Sequence, residues 1–317
     1  MEGRKRRSDA IFDNFVCVAK HAIDVEADLF IHSGDLFNKY YIPRERLDEL
    51  IRPVLEVAAA GIPVLIIPGN HERSQFPFDL FHGAKDIFVF DRPKTLCFTL
   101  DGYKVAFAGF PFIREDSRRT FLQALAESEY DSVGADFNIL VTHQAFDEAT
   151  VGPADYTFTA RRSDTVVRET IPEDFEYIAA GHIHRYQILE HPLKPRLKFV
   201  YPGSIQRVNF AEVDEEKGFV VGEVLHDRIE THFIPLAAWD MEIVEIDAGG
   251  RRTGEVEEEI RSQFWRFRED MVIRFRLTGG EGSEDYSGID FQEIRAEMPP
   301  VLECQFMLKI KKRWVLR

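Results

Sequence analysis

Cysteine is scarce in this chain. Cys17, Cys97 and Cys304 lie far apart and form no Cys-x-x-Cys pair, which excludes a disulfide framework and a thiolate zinc site and leaves buried free thiols as the expectation. No apolar run approaches the length of a membrane span, and the basic start Met1 to Arg7 gives way to an amphipathic segment and not to a signal-peptide core. No membrane partner is therefore expected, and the cytoplasm is the expected compartment. Positive charge is also in deficit: 40 Lys and Arg stand against 55 Asp and Glu, a net charge of -15. That balance excludes sequence-independent nucleic-acid binding over the whole surface. It leaves room for a local basic groove, or for a metal ion that brings its own charge to a phosphate. Internal repeats and low-complexity segments are missing as well.

What the chain does have, with 44% hydrophobic residues over 317 positions, is enough apolar material for one large domain and a smaller one. Its recurring unit is an apolar strand that stops at a polar donor. Ile62 to Ile67, between Gly61 and Gly69, is β-branched and continuous, as suits a parallel strand covered on both faces, and it delivers Asn70 and His71. Ala27 to Ser33 ends in Gly34 and Asp35, Asn138 to Thr142 ends in His143, and Tyr177 to Ala180 ends in Gly181-His182-Ile183-His184. In open α/β sheets ligands bind at that carboxyl edge.

Between these strands, apolar residues from Ala10 to Ala22 recur at helical spacing, with Ser8 or Asp9 available as N-cap. A second helix spans Pro43 to Ala60 and is closed by Gly61. Strand, helix and strand make a right-handed βαβ unit, so Asp35 and Asn70 should be neighbours. Lys104 to Gly109 and Asp116 to Ser128 continue the pattern as strand and helix. Phe199 to Tyr201 leads into Pro202-Gly203-Ser204, and Gly218 to Leu225 fits a second sheet packed on the first. A boundary is expected near Pro235 to Asp240, giving domains over residues 1–235 and 240–317. Beyond it, strands are expected at Met241 to Ile246, Met271 to Leu277 and Val301 to Ile310, and helices at about Glu255 to Phe267 and Phe291 to Met298.

Asp35, Asn70, His143, His182 and His184 are oxygen and imidazole donors of the kind that hold Mn2+, Fe2+ or Zn2+. Each alone has an ordinary reading as a turn, cap or core residue; together at strand ends they point to a metal cluster. Residues two apart on an extended segment face opposite ways, so His182 and His184 suit two ions better than one. Two ions about 3.5 to 4 Å apart can polarise a phosphoryl oxygen and acidify an attacking water. Asp35 is the natural bridging carboxylate, and His71 is left free to donate a proton. Arg207 could steady a phosphate or form a surface salt bridge. The cluster Lys309, Lys311, Lys312 and Arg313 could meet a DNA backbone or be a solvated strand end. His32 is expected in the core, and Phe12, Phe15, Trp265 and Phe267 as core stripes.

The motifs Gly34-Asp35, Gly69-Asn70-His71-Glu72, His143 and Gly181-His182-Ile183-His184, in this order, resemble the calcineurin-like metallophosphoesterase superfamily. Ser33-Gly34-Asp35-Leu36-Phe37, Ile62-Pro63-Val64, Tyr201 to Arg207 and Asp214 to Phe219 are similar to the SbcD-type double-strand-break repair nucleases within it. The resemblance implies a four-layer αββα double β-sandwich, a small α+β capping domain that contacts DNA, two divalent ions, most often Mn2+, and phosphodiester cleavage in DNA by exonuclease or endonuclease action. It also implies a homodimer bound to an SbcC-type coiled-coil ATPase.

The chain departs from that pattern at its start, where the superfamily has a strand ending in Asp-x-His. Without those donors the first metal position keeps Asp35 and His184, while the second keeps Asp35, Asn70, His143 and His182. At most one tightly held ion, impaired nuclease activity and low stability are expected of this chain. Asn38 replaces a more ionisable residue, and the end at Arg317 without a further helical segment puts the ATPase partner in question. Two competing readings are a metallophosphodiesterase acting on nucleotides or cyclic phosphodiesters, and a non-catalytic DNA-end-binding scaffold.

Overall fold

The structure is a computed structural model that describes residues 2–37, 44–72, 76–81, 83–115, 117–226, 228–279, 286 and 288–309. Asn38, Ile310, Lys311, Lys312 and Arg313 lie outside the described residues; Lys309 is described and exposed. The chain divides into two compact units, one of Ile11–Gln206 with Glu215–Ala237, the other of Met1–Ala10, Arg207–Asp214 and Ala238–Arg317. No described helix is long and apolar enough to cross a membrane.

The larger unit is built on two sheets. In the first, β1 (Phe30–His32), β2 (Val64–Ile66) and β3 (Ile87–Val89) run parallel in that order. The second also contains β4 (Lys94–Leu100), β5 (Tyr103–Gly109) and β6 (Phe137–Thr142). Two short pairs follow, β7 (Ala145–Phe146) with β10 (Thr165–Val166), and the hairpin β8 (Thr150–Val151) with β9 (Tyr156–Thr157). The second sheet is completed by β11 (Tyr177–Ala180), β12 (Gln187–Glu190) and β13 (Lys198–Tyr201), in the order β12-β13-β11-β6-β5-β4. Its central strands are parallel and only its edges, β12 and β4, are antiparallel. A hairpin of β14 (Gly218–Val224) and β15 (Ile229–Pro235) follows.

Period-two alternation assembles the layers. Leu65 and Ile67 meet Val105, Phe107, Phe137, Ile139 and Val141 in a core between the sheets. Val64 and Ile66 point the other way, against Ala19 of α1 (Glu2–Asp24) and Val54 and Val57 of α3 (Arg52–Ala59). On the outer face of the second sheet, Ala108, Leu140 and Ile178 pack on Phe121, Ala124 and Leu125 of α5 (Ser117–Glu127). The order is helix, sheet, sheet, helix, as expected. Val64, Leu65 and Ile66 are each 0% exposed, which explains why this stretch is apolar without interruption. Burial of one such side chain contributes roughly 1.5–3 kcal/mol.

Several local expectations are corrected. The helix expected over residues 43–60 is two, α2 (Arg44–Leu50) and α3, joined at Ile51, because Pro53 lacks an N–H and is seated in the first turn of α3. Helix α1 begins at Glu2 and is not capped by Ser8 or Asp9, since Arg4 to Arg7 are good helix formers with no breaker among them. Cys17 and Cys97 are exposed, not buried; Cys97 points outward on edge strand β4. Cys304 is half-buried, and burial pushes its thiol up to about 11.

In the smaller unit β16 (Met241–Asp247), β17 (Val272–Thr278) and β18 (Glu303–Leu308) are all parallel. Each crossover carries a helix, α6 (Thr253–Arg261) or α7 (Phe291–Glu297), in the βαβαβ order expected; the all-parallel pairing makes the unit α/β where the label α+β was expected. The short helix α4 (Phe78–Phe81) belongs to the larger unit. After α6 a 3-10 turn over Phe264–Arg266 puts Phe264 and Phe267 on one side. Phe267 is in the core, but Trp265 points away and is 85% exposed, contrary to expectation.

Candidate metal centre

Four strand ends meet at one edge of the sandwich. Asp35 follows β1, Asn70 and His71 follow β2, His143 follows β6, and His182 follows β11. β1 and β2 are neighbours in one sheet, as the βαβ reading requires, and β6 and β11 are neighbours in the other. Close approach of these turns needs glycine. Gly34 has φ +108, and a Cβ there would lie 2.2 Å from His143 Nδ1; a Cβ on Gly181 would lie 1.9 Å from the Ser33 carbonyl oxygen.

His143 is buried, and its Nδ1 lies 2.7 Å from the Ser33 carbonyl oxygen, to which it donates. Its Nε2 is therefore turned toward two acceptors, Asn70 Oδ1 at 2.9 Å and Asp35 Oδ2 at 3.3 Å. His182 Nδ1 lies 2.9 Å from the same Asn70 oxygen. Burial, with the charge of His143 adding to it, pulls His182 down to about 4, so this ring is neutral near pH 7. Burial alone would raise Asp35, but the hydrogen bond and charge of His143, with the His71 N–H and ring, outweigh it and hold the carboxyl at about 2.

A cation placed among these facing acceptors would satisfy them together. Donor atoms 2.9 to 3.3 Å apart match neighbouring ligands of an ion with bonds of about 2.1 Å. The Nδ1–H to carbonyl bond of His143 is also the usual partner of a metal-binding imidazole. Among the described residues no three His, Cys, Asp or Glu side chains form by themselves a group able to hold a metal. The set Asp35, Asn70, His143 and His182 fits one only because the Asn70 amide oxygen joins it. Phe112 walls the cluster, its ring 5.9 Å from that of His143 and 5.6 Å from that of His182.

His71 donates its main-chain N–H to Asp35 Oδ1 at 2.9 Å. Its ring is 44% exposed with Nε2 3.8 Å from Asp35 Oδ2, so it borders the cluster and faces solvent. His184 comes two residues after His182, with its carbonyl held by the Ser204 N–H and Lys217 Nζ. Arg207 belongs to the other unit, where it donates to the Trp239 carbonyl at 2.5 Å. His32 is half-buried, edge-on to Phe15, and burial draws it down to about 4.

Two residues quoted above only as motif members, Glu72 and Tyr201, have supporting roles. Glu72, 3% exposed, accepts from the N–H of Gly69 and, at 3.1 Å, from the N–H of Phe37. It ties the Asn70 turn to the Asp35 turn. Burial raises its carboxyl to about 7 against the pull of those two N–H groups. Tyr201, 0% exposed, donates to the Gln144 carbonyl at 2.9 Å and accepts from the Phe146 N–H at 3.0 Å, which fixes the chain just after His143. In the sequence both stand inside the quoted motifs, with nothing to mark these main-chain contacts.

A family model described as calcineurin-like phosphoesterase matches residues 2–186, more than half of the chain. The chain is 28% identical over 236 residues to the DNA double-strand break repair protein Mre11 of Methanococcus maripaludis, covering 70% of this chain and 59% of that protein. It is 27% identical over 226 residues to the protein of the same name from Aeropyrum pernix, covering 67% and 52%. It is 24% identical over 283 residues to the SbcD component of nuclease SbcCD from Staphylococcus epidermidis, covering 82% and 70%. The chain thus spans little more than half the length of the first two of these relatives.

Proposed function

The chain belongs to the calcineurin-like phosphoesterase family, and from that premise we propose that it is a metal-dependent DNA phosphodiesterase of the double-strand-break repair type. The observation that carries the reading is the convergence of Asp35 Oδ2, Asn70 Oδ1, His143 Nε2 and His182 Nδ1, brought together from both sheets. Relatives over most of the chain, one named a DNA double-strand break repair protein and another a nuclease subunit, support the choice of DNA as substrate.

In this proposal Asp35, Asn70, His143 and His182 would hold one divalent ion, with Mn2+ as the proposed metal, and Asp35 and His184 would contribute to a second position. When bound, such ions supply Lewis acidity to a phosphoryl oxygen and lower the pKa of an attacking water. The chain's own residues do the rest. Asp35 stays ionised, and through the His71 N–H it orients the turn that carries His71. The His71 ring, at the exposed margin, holds a proton for the phosphoryl or leaving oxygen. Phe112 keeps water from one side of the imidazoles.

DNA, a homodimeric partner copy, an SbcC-type ATPase and a cytoplasmic setting complete the proposal. The test is cleavage of end-labelled duplex and single-stranded DNA with Mn2+, with and without chelator. Metal-dependent cleavage lost in His143→Ala supports the reading. Preference for small phosphodiesters would select the nucleotide alternative, and DNA binding without cleavage at any metal concentration would select the scaffold.

A further inference from the structure

We infer that the buried ammonium of Lys217 is a positioning residue for the metal-binding loop: by gripping the main-chain carbonyl of His184 it fixes the segment that carries His182 and His184. The inference rests on the phosphoesterase reading of the site, but its observations are separate from the donor geometry.

The Lys217 side chain is 0% exposed, and lysine is almost never found so deep unless paired. Its Nζ lies 2.9 Å from Glu215 Oε2 and donates to the His184 carbonyl, also at 2.9 Å. The other oxygen of Glu215 accepts from Arg185 Nε at 3.1 Å, on the residue directly after His184. Arg185 in turn reaches Asp155 at 2.6 Å and the Gly152 carbonyl at 2.7 Å. From the opposite side the Ser204 N–H donates to the same His184 carbonyl at 3.0 Å. Gly203, with φ +78, leaves room for this, since a Cβ there would lie 2.8 Å from that oxygen.

The loop needs such a grip. His182 has φ +84, a conformation that a non-glycine residue keeps only when its surroundings over-determine it. A methionine at 217 would fill the same space without placing a charge in the interior, so packing alone does not call for an ammonium. The ammonium is directed at one main-chain carbonyl, and that carbonyl belongs to a proposed metal ligand.

The test is Mn2+ affinity, measured by calorimetry on the full chain, with melting temperature followed in parallel. Lys217→Met is compared with Arg168→Met, which removes a cation of similar burial paired with Asp147 and Glu148 and with the Glu190 carbonyl, not with a ligand. In Lys217→Met, Glu215 keeps Arg185 as a partner. The expected result is an affinity about tenfold lower or worse in Lys217→Met, and an Arg168→Met protein that melts earlier yet binds Mn2+ as the wild type does. If Lys217→Met does not fold, Glu215→Gln carries the same comparison, because it keeps the volume and removes the charge that seats the ammonium. Wild-type affinity in the position-217 variant, or losses in both variants that follow melting temperature, would overturn the inference. A wild type that binds no Mn2+ would remove the phosphoesterase reading and this inference together.

Discussion

Replacing Glu72 by alanine should damage both the fold and the metal centre. In the wild type its two oxygens accept from the N–H groups of Gly69 and Phe37 in a setting 3% exposed. Truncation leaves two buried N–H groups without a partner. Each such group costs about 1–3 kcal/mol, so about 2–6 kcal/mol is lost before any cavity forms. Against a typical domain stability of about 5–15 kcal/mol this is a large fraction. Glutamine keeps one acceptor and turns an NH2 toward the other N–H, so about half the penalty remains. The same substitutions let the Asn70 and Asp35 turns move apart, and about tenfold weaker Mn2+ binding should accompany the stability loss. Urea unfolding followed by circular dichroism gives the first quantity, and calorimetry the second. An alanine variant within about 0.5 kcal/mol of wild type, with unchanged Mn2+ affinity, would refute the idea that Glu72 joins the two turns.

Gly181→Ala should cost about 1–3 kcal/mol or more and abolish metal binding, because its Cβ meets the Ser33 carbonyl oxygen at 1.9 Å; a melting curve and a metal titration like those of the wild type would oppose this. His71→Ala keeps the N–H that serves Asp35, so Mn2+ affinity should hold while cleavage falls by roughly 10²–10⁴; equal losses in both would recast His71 as a structural residue. Tyr201→Phe removes one donor and leaves the Phe146 N–H unpaired, a cost of about 1–3 kcal/mol in urea unfolding. Thiol labelling at pH 8 should modify Cys17 and Cys97 quickly and Cys304 slowly, since burial holds Cys304 near 11 and keeps it protonated; equal rates would contradict its placement.

The convergence of the strand-end donors was legible in the sequence. Strands that must be buried on both faces are written in β-branched residues, and the donors follow them directly, so Asp35, Asn70, His143 and His182 could be placed together without coordinates. Pairing order could not be read. Nothing in Asn138 to Thr142 says that it joins a different sheet from Ile62 to Ile67, because both faces of either strand are covered. The supporting groups were hidden for a related reason. Glu72 and Lys217 act on main-chain atoms brought near by the fold, and a main-chain carbonyl leaves no mark in the residue code. Trp265 was misjudged because a 3-10 turn has a different period from the α-helix assumed there.

Calorimetric titration of the 317-residue chain with Mn2+, beside His143→Ala, tests the convergence of strand-end donors most directly. Tight Mn2+ binding in the wild type, lost in the variant, is the expected result. Identical heats in both proteins would contradict the donor set itself.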